Sequence, residues 1–279
     1  MSANVNPKVA LVTGCTNGGI GYHIADEFAK REYKVYATSR RVETMDFGKS
    51  PRANVQTLAM DVTSDKSVQS AVDEIIKREG KIDVVVNNAG IWMVSPLIDT
   101  TVDQAKNIFD TNVISVLRTS KAVLPHMAAR KKGLIINIGS LSGQVATPFS
   151  GVYDASKSAQ HALTDILDME CRPLGIDVML VATGSIKTNI ISNAAKSSGL
   201  PSDSLYKSFE NKILGRLQFI QNDPGAWTAE RFARELVNRA DRPKPPKYWS
   251  DGGPAWTVYL LRWLPRPWVL SIVWKSLGA

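Results

Sequence analysis

Short apolar runs recur along the chain, and the first of them ends in a glycine-rich turn that opens a helix. Lys8–Thr13 (KVALVT) leads into Gly14–Gly21 (GCTNGGIG), and Tyr22–Arg31 then carries Ile24, Ala25, Phe28 and Ala29 at helical spacing. A strand apolar at nearly every position, rather than at alternate ones, is covered on both faces, as strands of parallel sheets are. Further runs of this kind are Lys34–Thr38, Val55–Met60, Ile82–Val86, Gly133–Ile138 and Asp177–Val181. Between them the spacing predicts helices over Ser64–Lys77, Val102–Ala129 and Ser150–Arg172, the first capped by Ser64. Strand and helix in alternation, without an internal repeat, predict an α/β doubly wound parallel sheet with helices on both faces. The expected organisation is a single domain over residues 1–242 and a Pro/Trp-rich C-terminal extension over residues 243–279.

The Gly14–Gly21 turn stands where a Rossmann-type sheet holds a dinucleotide. Glycine permits positive φ and close backbone approach to a pyrophosphate, and the following helix offers its free N–H groups. Gly14, Thr16, Asn17, Gly19, Ile20 and Gly21 are therefore candidate cofactor contacts. Ser39-Arg40-Arg41 follows the second strand, where an acidic residue would bind a ribose diol. A hydroxyl and two guanidiniums suit a 2′-phosphate instead, so NADPH/NADP is expected rather than NAD. Asp61 and Val62, after the third strand, are placed to meet the adenine, although Asp61 equally suits a turn or a cap.

Gly139–Lys157 (GSLSGQVATPFSGVYDASK) carries the second candidate constellation. Tyr153 and Lys157, four apart on one helix, share a face. An ammonium beside a phenol favours the phenolate, whose ordinary pKa is about 10. YxxxK alone is common by chance. With TGCTNGGIG, Asn87-Asn88-Ala89-Gly90 after the fourth strand, and Ser140, the chain resembles a short-chain dehydrogenase/reductase from about Lys8 to Asp241.

That resemblance implies hydride exchange between a nicotinamide and a carbonyl. It gives Tyr153 the role of general acid/base and makes Lys157 the ribose-binding residue that lowers the tyrosine pKa. Ser140 becomes the hydroxyl on the substrate oxygen, and Asn112 the anchor of a relay water. Asn88, Ala89 and Gly90 become a wall of the nucleotide site. Gly184, Ile186 and Thr188 fall on the nicotinamide side, with Thr188 on the carboxamide. Two departures stand out: the glycine loop is one residue longer than the family's TGxxxGxG, and Thr183-Gly184 replaces its Pro-Gly. The loop, the RPKPPKYW run and the PRPW of the tail further resemble fungal NADPH-using reductases of the 1-acyl-dihydroxyacetone-phosphate reductase type. A lipid-linked ketone is the substrate this implies.

The net charge of +8 favours anionic partners, but no nucleic-acid motif accompanies Arg130-Lys131-Lys132 or Arg242–Lys247, and no nucleic-acid partner is expected. Two cysteines and three scattered histidines supply neither a disulfide framework nor a metal set. The N-terminus lacks the pattern of a signal peptide, so an intracellular protein is expected. In the segment Asn189–Asp223, apolar Ile190, Ile191, Leu205, Phe209, Ile213, Leu214 and Leu217 suit a lipophilic substrate lining. An acyl-linked ketone, a steroid or a retinoid fits that composition. A non-catalytic NADP(H)-sensing protein is the alternative outside enzymes, and the Asn112, Ser140, Tyr153 and Lys157 set speaks against it.

The tail holds Trp249, Trp256, Trp263, Trp268 and Trp274. Its apolar pieces, Ala255–Leu261 and Pro267–Trp274, fall short of the ~20 residues that span a bilayer. Tryptophan with arginine and lysine suits a membrane interface. The tail is expected either to attach to an endoplasmic reticulum or lipid-droplet surface, or to pack on its own domain or on a second subunit of a homo-oligomer. Without such attachment a cytoplasmic location is expected.

Overall fold

The computed structural model describes residues 6–48, 54–195, 198–253 and 255–277. Residues 1–5, part of the stretch on which the signal-peptide expectation rests, lie outside them. The expected α/β architecture is present. The strands are β1 (Val9–Thr13), β2 (Lys34–Ser39), β3 (Val55–Ala59), β4 (Val84–Asn87), β5 (Gly133–Ser140) and β6 (Ile176–Thr183). The helices between them are α1 (Ile20–Lys30), α2 (Asp65–Glu79), α3 (Val102–Phe109), α4 (Ser115–Ala128) and α5 (Gly151–Cys171).

Beyond β6 come a short strand β7 (Ile186–Lys187), α6 (Ile190–Ala195) and α7 (Glu210–Asn222), then β8 (Trp227–Thr228), which pairs with β7. The chain continues through α8 (Ala229–Ala240), β9 (Tyr248–Asp251), α9 (Ala255–Leu261) and α10 (Arg266–Leu277). The main sheet has seven strands in the order β3-β2-β1-β4-β5-β6-β9, every pair parallel.

Both faces of the sheet are covered, which explains the unbroken apolar runs. Ala10 and Val12 of β1 point into a core shared with Ile24 and Phe28 of α1 and Phe232 and Leu236 of α8. Their neighbours Val9 and Leu11 point the other way, against Val68 and Val72 of α2, Val123 and Met127 of α4 and Leu167 of α5. Ser64 caps α2 by accepting from the Ser67 N–H at 3.2 Å, as its position predicts. The single helix expected over Val102–Ala129 is interrupted by a π-turn at Asp110–Ile114, an insertion that re-aims the side chains it carries.

β9 lies beyond the expected boundary at residues 242/243. Tyr248–Asp251 joins the edge of the main sheet, in register with Leu180–Thr183 of β6. Trp249 is therefore a core residue, not part of a free tail: it is buried, stacks on Phe232 at 5.2 Å and lies 4.4 Å from the Arg239 guanidinium. Gly184 explains how closely β9 is bound. A Cβ there would lie 1.7 Å from the Gly252 carbonyl oxygen, and its N–H donates to Asp251 O at 2.9 Å. The sheet ends at Asp251, and the extension proper begins with α9.

Truncating a stacked, buried tryptophan removes its packing and leaves a cavity. Trp249→Ala is expected to lower unfolding stability by about 3 kcal/mol in chemical denaturation. A loss below about 0.5 kcal/mol would contradict the place of Trp249 in the core.

Candidate active site

A cleft of about 550 Å³ opens at the C-terminal ends of the strands. It lies where the strand order turns, with β2 on one side of β1 and β4 on the other, the place where open α/β sheets take ligands. Gly14, Thr16, Asn17, Gly19, Ile20, Ser39, Arg40, Arg41, Asp61, Val62, Asn88, Ala89, Gly90 and Thr188 all line it, together with Tyr153 and Lys157. Gly21, Asn112, Ser140, Gly184 and Ile186 are not among its lining residues.

Gly14 ends β1 with φ +72°, and a Cβ on it would lie 2.9 Å from Ala89 Cα. Gly21 lies inside α1, where a Cβ would come within 2.5 Å of Asn88 Nδ2. Only glycine lets the turn and the end of β4 close this far. Asn88 holds the junction rather than walling a ligand alone: its amide donates to Thr13 O at 2.8 Å and Gly14 O at 3.1 Å. The Thr13 hydroxyl accepts from the N–H groups of Asn88 and Ala89.

The lengthened loop is latched on two sides. Asn17 N–H donates to Thr44 O at 2.9 Å, its Oδ1 accepts from Asp46 N–H at 2.7 Å, and its carbonyl accepts from Asn189 Nδ2 at 2.8 Å. At the far end of the cleft Arg40 and Arg41 are exposed. Burial works against the Asp61 carboxylate, yet bonds from Thr63 and the charges of Arg40 and Arg118 hold its pKa below the ordinary value. Gly184 and Ile186 are not cleft residues. Gly184 is pressed on Gly252, and the Ile186 side chain is in the core. Thr183, where the family has proline, donates its hydroxyl to Gly139 O at 3.0 Å and ties β6 to the end of β5.

The other end of the cleft is built by β5 and α5. Ser140 is the last residue of β5, and Tyr153 and Lys157 follow on one face of α5. The Lys157 ammonium is buried, donating to Ile138 O at 2.9 Å and Gln160 Oε1 at 3.0 Å, 5.9 Å from the Tyr153 ring centre. Burial pushes Lys157 down to about 7. Burial also pushes the Tyr153 phenol up to about 12, an effect the Ser140 hydroxyl opposes and Asp154 reinforces. The lowering expected from Lys157 does not emerge here: burial dominates, and enclosure penalises phenolate and ammonium alike.

Asn112 sits in the π-turn and is fully buried. Its Oδ1 accepts from Ile91 N–H at 2.9 Å, and its Nδ2 donates to Ile91 O and Ser156 Oγ, both at 3.0 Å. The side chain braces the segment after β4 against α5.

Sequence reasoning missed Gln160, Ser156, Trp92 and His161. Trp92 meets the Tyr153 ring edge-on at 6.4 Å. His161 is one turn beyond Lys157, a spacing that was a readable signal. Its Nε2 accepts from the Ser140 N–H at 3.3 Å. Its ring fills the space left by two glycines: a Cβ at Gly139 or Gly143 would lie 2.4 or 2.7 Å from it. Above Tyr153, Trp92, Val94, Phe149, Ile191, Ala194, Ile213 and Leu217 form an apolar cluster, with Ile190, Phe209 and Leu214 packed against it. Leu205, expected in that lining, is 83% exposed; it sits in the turn ahead of α7, outside the packed face.

Such a site, at the switch point of a doubly wound sheet, is that of an oxidoreductase working on a bound dinucleotide. The sequence model described as short chain dehydrogenase matches residues 8–198, and the chain belongs to that family. An NADPH-dependent 1-acyldihydroxyacetone phosphate reductase from Schizosaccharomyces pombe is 36% identical over 211 residues, 74% of this chain and 70% of that protein. A 3-ketodihydrosphingosine reductase from Bacteroides thetaiotaomicron is 30% identical over 266 residues, 94% of each chain. The structure of a metagenomic short-chain oxidoreductase in complex with NADP aligns with a TM-score of 0.60 at 30% identity, covering 64% of this chain and 81% of that one.

His161 gives the site an acid limit. Burial, with the charges of Lys157 and Arg262, pushes it from 6.5 to about 4. The unfolded chain binds the proton first, so stability is lost as pH falls through this window, by about 3 kcal/mol. Asp154, raised by burial to about 7, acts in the opposite sense. The comparison with His161→Gln isolates the histidine: unfolding free energy of the wild type is expected to drop more steeply from pH 6.5 to pH 4. Parallel curves would contradict a buried neutral His161.

Proposed function

We propose that the chain is an NADPH-dependent reductase that converts the carbonyl of a lipophilic, lipid-linked ketone to a secondary alcohol, with 1-acyl-dihydroxyacetone phosphate as the leading substrate. One observation carries this: Tyr153 belongs both to the nucleotide cleft and to the apolar cluster above it. A group bound in the cleft and an apolar ketone in the cluster meet at its hydroxyl. The names of the Schizosaccharomyces and Bacteroides relatives, both reductases of lipid ketones, support the substrate class.

The residues fit NADPH. The cleft reaches the Gly14–Gly19 turn and Ile20 at the start of α1, where a pyrophosphate would meet free N–H groups, and Arg40 and Arg41 directly after β2 offer cations to a 2′-phosphate. When bound, NADPH supplies the hydride to the carbonyl carbon. Tyr153 Oη donates a proton to the carbonyl oxygen, and Ser140 Oγ hydrogen-bonds that oxygen as charge develops on it. The Lys157 ammonium stabilises the phenolate left behind. His161 holds the Ser140 backbone, and Asn112 and Ser156 hold α5 against the segment after β4.

Two associations complete the proposal. Ile114 and Leu117 on one helical rod and Ile166 and Met169 on α5 are exposed, and they support a homo-oligomer through these helices. Among the described residues no helix is long and apolar enough to cross a membrane. The exposed tryptophans of α9 and α10 support surface attachment to endoplasmic reticulum or lipid droplets instead.

Tyr153→Phe is expected to keep NADPH affinity within about twofold and to lower kcat by at least about 10³-fold. Retained turnover in stopped NADPH-oxidation assays would refute the role of the phenol. For the nucleotide end, the Arg40→Ala/Arg41→Ala pair is expected to lower the NADPH-over-NADH preference in kcat/KM by about 100-fold, as loss of two charge-assisted pairs implies. An unchanged ratio would reject the 2′-phosphate assignment.

A further inference from the structure

We propose that α9 and α10 form a docking face for an anionic phospholipid surface, and that this face is continuous with the mouth of the apolar site, so that a ketone lipid passes from the surface to Tyr153. The proposal rests on the lipophilic-ketone reading above and adds the partner and the route.

All the strongly exposed tryptophans among the described residues lie on these two helices and their connection. Trp256, Trp263 and Trp268 are 70%, 77% and 64% exposed, and Tyr259, Leu260, Leu270 and Ile272 are exposed beside them. Trp274, also on α10, is 47% exposed, and Trp92, Trp227 and Trp249 are buried or half-buried. Residues 255–279 contain Arg262, Arg266 and Lys275 and no carboxylate. Indole rings with a polar edge, interspersed with cations, match the headgroup level of an anionic bilayer. A second copy of the same face would set like charges against each other, so charge complementarity selects lipid over self-association.

α10 is seated against the apolar cluster that packs on Tyr153. Val273 of α10 is buried against the domain, and the Trp274 ring meets Phe149 at 6.4 Å. Phe149 lies between Ser140 and α5, with φ +63°, a conformation rare for an aromatic residue and a pointer to function. Its carbonyl is pinned by the Ser95 N–H at 2.8 Å. Its ring meets Tyr206 of the substrate segment at 5.9 Å and belongs to the cluster that packs on Tyr153. Catalytic helix, substrate segment and α10 therefore converge on one side chain. On the other flank, Gln144 of the Ser140 loop donates to the Tyr248 hydroxyl of β9, the strand that leads into α9, at 2.6 Å.

Two measurements on the full chain test this. First, flotation with phosphatidylcholine vesicles, with and without phosphatidylserine, reads docking without turnover. The wild type is expected to float with the anionic vesicles, and Trp256→Ser/Trp263→Ser/Trp268→Ser to partition at least about tenfold less, with added salt weakening the wild type. NADPH binding by both proteins verifies that the variant is folded. Equal partition of the two, or a lipid-free wild type whose dimer is lost in the variant, would overturn the docking face. Second, rates are compared on a long-chain ketone carried in those vesicles and on a short-chain ketone dissolved in water. The ratio is expected to fall about tenfold in the variant. Docking without any preference for the vesicle-borne ketone would overturn the route. Wild-type failure on both ketones would instead refute the reductase reading and leave the flotation result standing.

Discussion

The Lys157 ammonium sets the geometry of this molecule's chemistry. An ammonium taken from water is costly unless its donors are met, and here two of the three are met, by Ile138 O of β5 and Gln160 Oε1 of its own helix. That demand fixes how far α5 lies from the end of β5. Tyr153, one turn before, and His161, one turn after, are placed by the same constraint. A buried polar ladder extends it into the sheet: Asn87 Nδ2 donates to Asn137 Oδ1, Asn137 Nδ2 to the Thr164 hydroxyl, and that hydroxyl to Gln160 O. Asn87 and Asn137 are paired in register on β4 and β5. The two central strands and the catalytic helix thus share one chain of satisfied hydrogen bonds, in a low-dielectric setting where an unmet bond is most costly.

The nucleotide end depends on contact rather than charge. Gly14, Gly21, Thr13 and Asn88 bring the first turn and the end of β4 into a single unit with no space for a side chain. The cleft is therefore shaped by backbone before any ligand arrives. Asn17 joins this unit to the Thr44–Asp46 turn on one side and to Asn189 on the other. Through Asn17 the lengthened loop reaches Asn189, so the nucleotide turn and the segment Asn189–Asp223 are connected directly.

Residues whose meaning is local were legible in the sequence. The apolar runs, the Ser64 cap, the glycine turn, and Ser140, Tyr153 and Lys157 each carry a signal within a few neighbours, and their places follow. What escaped depends on distant packing. Four residues after a proline run do not announce β9, because Trp249 is made a core residue by Phe232 and Arg239, not by its flanks. Asn88 reads as a wall of the nucleotide site and Asn112 as the anchor of a relay water, but their amides donate to Thr13, Gly14, Ile91 and Ser156. The tyrosine–lysine spacing predicts a lowered phenol, while the structure raises it, because enclosure is a property of the fold and not of the motif. Leu205 is apolar in a helix-rich segment, yet only the register of the folded turn decides that it faces out.

Topology explains why the extension lies near the substrate mouth. All seven strands are parallel, so all of them end at the edge where the cleft opens. β9 runs with β6 and is locked to it by the Gly184–Gly252 contact, which leaves no side-chain room for slippage. A segment leaving β9 is therefore delivered to the catalytic edge; an antiparallel edge strand would have released it at the opposite one. The contact counts for more than proximity. Gln144 of the Ser140 loop donates to the Tyr248 hydroxyl of β9 at 2.6 Å, ahead of α9. Edge-strand direction, decided by a few backbone hydrogen bonds, thus sets the end of the sheet from which α9 and α10 depart, and Trp274 of α10 meets Phe149 there.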